Sequence, residues 1–121
     1  MARVLIAEDN ETDRLLMGTI LEGAGHEAYL AVDGEEALNV YMSTPIDVVV
    51  TDIMMARKDG VELIMALRAL NPDTPIIAVS GEGPTGLGFA QLAGAQKIMT
   101  KPIDPEVLLG AVAAAAREAK S

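Results

Sequence analysis

Apolar residues in this chain gather into short dense runs, and between the runs they recur at helical spacing. The runs are Arg3-Val-Leu-Ile-Ala7, Glu27 to Val32, Ile46-Asp-Val-Val-Val-Thr51, Pro75-Ile-Ile-Ala-Val79 and Gln96-Lys-Ile-Met-Thr100. Their length and β-branched content predict strands. A first helix is predicted over about 12–23, with Leu15, Leu16, Met17, Ile20 and Leu21 at helical spacing and Gly23 and Gly25 ending it. A second covers about 34–42 and stops before Pro45. A third covers about 60–70, with Val61, Ile64, Leu67 and Ala69 as its buried stripe and Asn71-Pro72 as its stop. The fourth helix has room only over roughly 88–93, because the glycine-rich Gly81-Glu-Gly-Pro-Thr-Gly-Leu-Gly88 precedes it. The fifth has Asp104 as N-cap, Pro105 at its first position and Glu106 in its first turn, and runs to about 118.

The first, third and fourth runs are nearly continuous in Val, Ile and Leu, the mark of strands covered on both faces. Five alternating strand–helix units predict an α/β fold, a three-layer α-β-α sandwich around a five-stranded parallel sheet. The 121 residues suit one domain, expected over 1–121, with neither repeat nor linker.

Composition narrows the function. The formal net charge is −9 and the only aromatics are Tyr29, Tyr41 and Phe89, so neither a phosphate backbone nor stacked bases would find a partner here. There is no cysteine, which excludes thiol catalysis and thiolate metal sites and fits a reducing compartment. The apolar start is ended by Glu8-Asp9, unlike a signal peptide, and the stretch from Val107 to Ala116 is too short to span a bilayer. These features predict a soluble, cytoplasmic protein that engages neither nucleic acid nor membrane.

Candidate chemistry lies at the strand ends. Glu8, Asp9, Asp52, Ser80 and Lys101 each end or follow an apolar run. In a parallel sheet such residues converge on the edge where ligands of open α/β folds bind. Adjacent carboxylates such as Glu8-Asp9 repel unless a cation intervenes, and a hard cation such as Mg²⁺ prefers oxygen ligands. The hydroxyl of Ser80 and the ammonium of Lys101 suit a phosphoryl group. Lys101-Pro102 is a candidate for a cis peptide bond. The lone histidine, His26, reads as an exposed turn residue, and the methionines at 54, 55, 65 and 99 as core or loop packing.

The ordered set Glu8-Asp9, Asp52, Ser80 and Lys101-Pro102, with the Asp52-Ile-Met-Met-(x)₃-Asp59-Gly60 segment, resembles the receiver domain of two-component response regulators, of the stand-alone, chemotaxis-receiver type. The resemblance covers essentially the whole chain. It implies the flavodoxin-like strand order 2-1-3-4-5. It implies Asp52 as phosphoacceptor, with Mg²⁺ held by Asp9, Asp52 and the main-chain carbonyl of Met54, and with Glu8 acting through water. Ser80 and Lys101 would contact the phosphoryl oxygens. The donor would be a histidine kinase or a histidine phosphotransfer protein, docking near the first helix and the Lys101-Pro102 loop. A downstream effector protein would read the loop after the fourth strand and the face of helix four, strand five and helix five, including Ile98 and Leu109. Such a domain is no general enzyme; it catalyses only its own phosphorylation and slow dephosphorylation.

Three positions differ from the family pattern. Ile98 replaces the usual aromatic three residues before the lysine, Met55-Ala56 replaces Met-Pro, and glycine shortens the fourth helix. The glycine-rich segment is expected to order when Ser80 engages a phosphoryl group. Gly81-Glu-Gly-Pro-Thr-Gly86 also matches a dinucleotide-binding pattern, but Pro84 removes a donor where a pyrophosphate needs one. A haloacid-dehalogenase-type phosphatase would need a second Asp where Met54 stands. A phosphate-independent adaptor would have no use for the clustered carboxylates.

Overall fold

The structure, a computed structural model, describes residues 1–55, 59–81 and 94–119. Five parallel strands are β1 (Arg3–Ala7), β2 (Glu27–Ala31), β3 (Val48–Asp52), β4 (Ile76–Ser80) and β5 (Lys97–Thr100), in the order β2-β1-β3-β4-β5. The helices among the described residues are α1 (Glu11–Gly23), α2 (Gly34–Ser43), α3 (Gly60–Leu70) and α4 (Pro105–Ala119). The α/β sandwich and the 2-1-3-4-5 order thus stand as the sequence and its resemblance indicated. The expected short helix over 88–93 lies outside the described residues, so α4 is the helix the sequence numbers fifth.

The two-residue period of a strand sorts the core into two halves. Leu5, Ala7, Val49, Ile76 and Ala78 point to one face of the sheet and pack against Ala37 of α2 and Leu63, Ile64 and Leu67 of α3. Val4, Ile6, Val48, Val50, Ile77 and Val79 point to the other and meet Met17 and Leu21 of α1 and Leu108 and Val112 of α4. Fully burying such a side chain contributes roughly 1.5–3 kcal/mol. All residues of β3 and β4 are buried, whereas the edge strands β2 and β5 have exposed positions.

Helix starts follow the capping residues. Asn10, Asp33 and Asp59 accept from the backbone N–H of Asp13, Glu36 and Glu62 at 2.9, 2.8 and 3.0 Å. Helix faces were harder to read. In α1 the buried residues are Met17, Gly18 and Leu21, while Leu15 and Leu16 are exposed. In α3, Leu63 joins Ile64 and Leu67 in the core; Val61 is only partly buried and Ala69 is exposed. A run of adjacent leucines fixes no helix face, because neighbours on a helix lie about 100° apart. Met99 packs in the core and Met55 against it, but Met54 and Met65 face solvent. His26 is not a free turn residue: it is half-buried, and its Nδ1 accepts from the Ala2 N–H at 3.0 Å.

Register brings the strand ends level. Ala7 pairs with Thr51, Asp52 with Val79, and Ser80 with Thr100. The ladder continues past the strands: Glu8 N–H donates to Ala31 O at 3.0 Å and Lys101 N–H to Ser80 O at 2.9 Å.

Candidate phosphoryl and cation site

Asp52 and Ser80 are the last residues of β3 and β4, one position further into the strand than their runs suggest. Glu8 follows β1 and Lys101 follows β5. Strand register fixes the backbones of Asp52 and Ser80, and Glu8 and Lys101 are the first residues beyond their strands, so the four emerge at one edge. Glu8, Asp52 and Ser80 are buried, and Asp9 is exposed. Carboxylate oxygens of Glu8, Asp9 and Asp52 lie within 4.8 Å of one another. The Lys101–Pro102 bond is cis.

The Lys101 ammonium sits among acids. Its Nζ is 3.0 Å from Asp52 Oδ2, 2.9 Å from Asp13 Oδ2 and 2.7 Å from Glu8 Oε1. The contacts to Asp13 and Asp52 are directed hydrogen bonds. The approach to Glu8 is an ion pair only: Glu8 Oε1 is buried and has no well-directed donor. Its other oxygen, Oε2, accepts from the Asn10 N–H at 3.1 Å. Asp52 Oδ1 accepts from the Met54 N–H at 3.2 Å, which orients the carboxylate.

Burial pushes the Glu8 carboxyl up to about 7, although the Lys101 ammonium and the Asn10 N–H draw it back; the neighbouring Asp52 adds to the rise. For Lys101, burial acts downward, but the contacts to Glu8, Asp13 and Asp52 outweigh it and raise the ammonium above its usual range. The site thus carries more negative charge than one lysine offsets. An all-oxygen donor set and a buried oxygen without a directed donor fit a hard divalent cation.

Two supporting features escaped sequence reasoning. Asp13 looked like an ordinary acid in the first turn of a helix. Arg14 Nη1 donates to the Glu8 carbonyl at 3.0 Å, holding the β1–α1 connection from behind. A third, Gly60, was visible as part of the motif but without its reason. A Cβ there would lie 2.0 Å from the Asp52 carbonyl oxygen, and the Gly60 N–H donates to Ile53 O at 2.9 Å. Ile98, at the position of the usual aromatic, is partly buried against the core. Ala56 and the glycine-rich residues 82–93, with their expected ordering, lie outside the described residues.

Comparison with known proteins identifies the family. The family model for the response regulator receiver domain matches residues 4–113, and the chain belongs to that family. Among its relatives, response regulator MprA of Mycolicibacterium vanbaalenii is 35% identical over 116 residues, covering 95% of this chain and 50% of that protein. The CAI-1 autoinducer sensor kinase/phosphatase CqsS of Vibrio cholerae is also 35% identical over 116 residues, covering 93% of this chain but 17% of its own length. The chain therefore spans half or less of these two relatives. Among solved structures, the receiver domain of Francisella response regulator 1452 is 30% identical with a TM-score of 0.89, covering 97% of this chain and 98% of that one. A CheY-like receiver domain protein from Methanospirillum hungatei is 26% identical with a TM-score of 0.93, covering 99% and 97%. Receiver domains are signalling modules, and no helix among the described residues is long and apolar enough to cross a membrane.

Proposed function

We propose that this chain is a phosphoacceptor switch in which Asp52 receives a phosphoryl group from a phosphohistidine donor. The observation that carries this reading is the Lys101 ammonium 3.0 Å from Asp52 Oδ2, beside the Glu8–Asp9–Asp52 carboxylate cluster. An Asp52 oxygen attacks phosphorus; the new O–P bond forms as the donor P–N bond breaks, and the imidazole nitrogen keeps the electron pair. The obstacle is charge, because a carboxylate must approach an anionic phosphoryl group. Asp9 and Asp52, with the main-chain carbonyl of Met54, would hold Mg²⁺ directly and Glu8 through water; the bound ion would offset charge on the phosphoryl oxygens. Lys101 supplies a second positive charge, and Ser80 a hydroxyl donor for a phosphoryl oxygen.

The phosphorylated residue then carries extra charge and acceptor oxygens, which draw the Ser80 hydroxyl toward the site. A histidine kinase or histidine phosphotransfer protein is the donor in this reading, and an effector protein reads the outcome on β5 and α4. On that face Val107 is exposed, whereas Ile98 and Leu109 are partly buried, so Val107 is the better contact. The cysteine-free sequence fits a cytoplasmic setting.

The test is intact-mass spectrometry after incubation with acetyl phosphate, with and without Mg²⁺. One phosphoryl adduct is expected on the wild type with Mg²⁺, and none on Asp52→Asn. An adduct of equal yield on Asp52→Asn would place the phosphoacceptor elsewhere.

A further inference from the structure

Asp13 is the acid at this site that the phosphoryl reading leaves without a task. It lies outside the group of mutually close carboxylates, so a cation among Glu8, Asp9 and Asp52 leaves its charge in place. Its position is fixed: its backbone N–H donates to Asn10 Oδ1 at 2.9 Å in the first turn of α1. Its carboxylate is 30% exposed and takes one of the two directed hydrogen bonds that the Lys101 ammonium makes.

An ammonium has three N–H donors. In this structure two of them are directed at Asp13 and Asp52, at 2.9 and 3.0 Å, and Glu8 adds an ion pair at 2.7 Å, so an incoming anion competes with Asp13 for the ammonium. A phosphoryl oxygen arriving beside Asp52 must share that ammonium with Asp13, and it must do so near a second fixed negative charge. Like charges at such range repel, and water in this partly open site weakens the repulsion without abolishing it.

We propose that Asp13 is a positioning residue that draws the Lys101 ammonium toward α1 and so lowers the affinity of the site for a phosphoryl group. Asp13 thereby sets the poise of the switch toward the unphosphorylated form. The inference rests on the phosphoryl-site reading above.

The test uses the trifluoroberyllate anion as the phosphoryl probe, titrated calorimetrically at saturating Mg²⁺ into wild type, Asp13→Asn, Asp13→Glu and Asp52→Asn. Asp13→Asn keeps the shape and the acceptor oxygen but removes the charge. It is expected to bind the probe about twofold to fivefold more tightly, in line with a partly exposed ion pair. Asp13→Glu is expected to stay near wild type, and the gap between wild type and Asp13→Asn to shrink as salt is raised. A merely structural role in the α1 turn would shift the melting temperature but leave probe affinity unmoved. Equal or weaker binding by Asp13→Asn, with wild type binding normally, overturns this inference alone. If wild type fails to bind, or Asp52→Asn binds as well, the phosphoryl-site reading falls and takes this one with it.

Discussion

A methyl group on Gly60 would meet the Asp52 carbonyl oxygen at 2.0 Å and the Ile53 Cα at 2.5 Å, both backbone atoms that cannot swing aside. The start of α3 is therefore pressed against the residue whose side chain forms the site. Gly60→Ala must move either α3 or the end of β3. We expect it to lower stability by about 1–3 kcal/mol, the range for forced overpacking, read as a lower urea midpoint at unchanged slope. An unchanged midpoint would show that α3 retreats freely. The contrast with Asp13 shows what one sequence reveals at this scale. Gly60 stands in a recognisable motif, so its presence was legible although its cause was not. Asp13 looks the same in sequence as any acid in a first helical turn, and only the reach of Lys101 from β5 across the sheet gives it a role.

At the scale of elements, strands were read better than helix faces. A buried parallel strand needs apolar residues on both sides, so β1, β3 and β4 announce themselves as dense runs. A helix face depends on which neighbours cover it, and Leu15 and Leu16 look as apolar as Met17 until the sheet is in place. Capping, in contrast, is local chemistry and was legible for α4. Asp104 Oδ1 accepts from the N–H groups of Glu106 and Val107 at 2.9 and 3.4 Å, and Pro105 has no N–H to satisfy. Asp104→Ala is expected to cost about 1 kcal/mol, and so to lower the melting temperature by roughly 3–6 °C. Asp104→Asn should restore most of the loss by supplying an acceptor oxygen. Equal losses in both variants would place the stabilisation in the charge rather than in the cap.

Over the whole molecule, acidity and packing pull stability in opposite directions as pH falls. The formal net charge is −9, so protonating surface carboxylates relieves self-repulsion. His26 works against that trend. Its Nδ1 accepts from the Ala2 N–H at 3.0 Å, an arrangement that requires a neutral acceptor nitrogen and ties the start of β2 to the start of β1. Burial, and then the positive charge of the nearby α-amino group, lower the His26 pKa below its ordinary 6.5. The unfolded chain therefore takes up the proton more readily than the folded one. Stability from this contact is fully present above about pH 6.5 and is lost as pH falls through the lowered folded-state value. A single melting curve mixes this effect with charge relief, so the comparison must be with a variant that keeps the acceptor but cannot titrate. His26→Asn places an amide oxygen near the position of Nδ1. The melting temperature of wild type minus that of His26→Asn is expected to stay level from pH 7.5 to about 6.5 and then to fall toward pH 5. A difference that stays constant over that range would mean that His26 keeps its proton balance on unfolding and that acid sensitivity arises from the carboxylates alone.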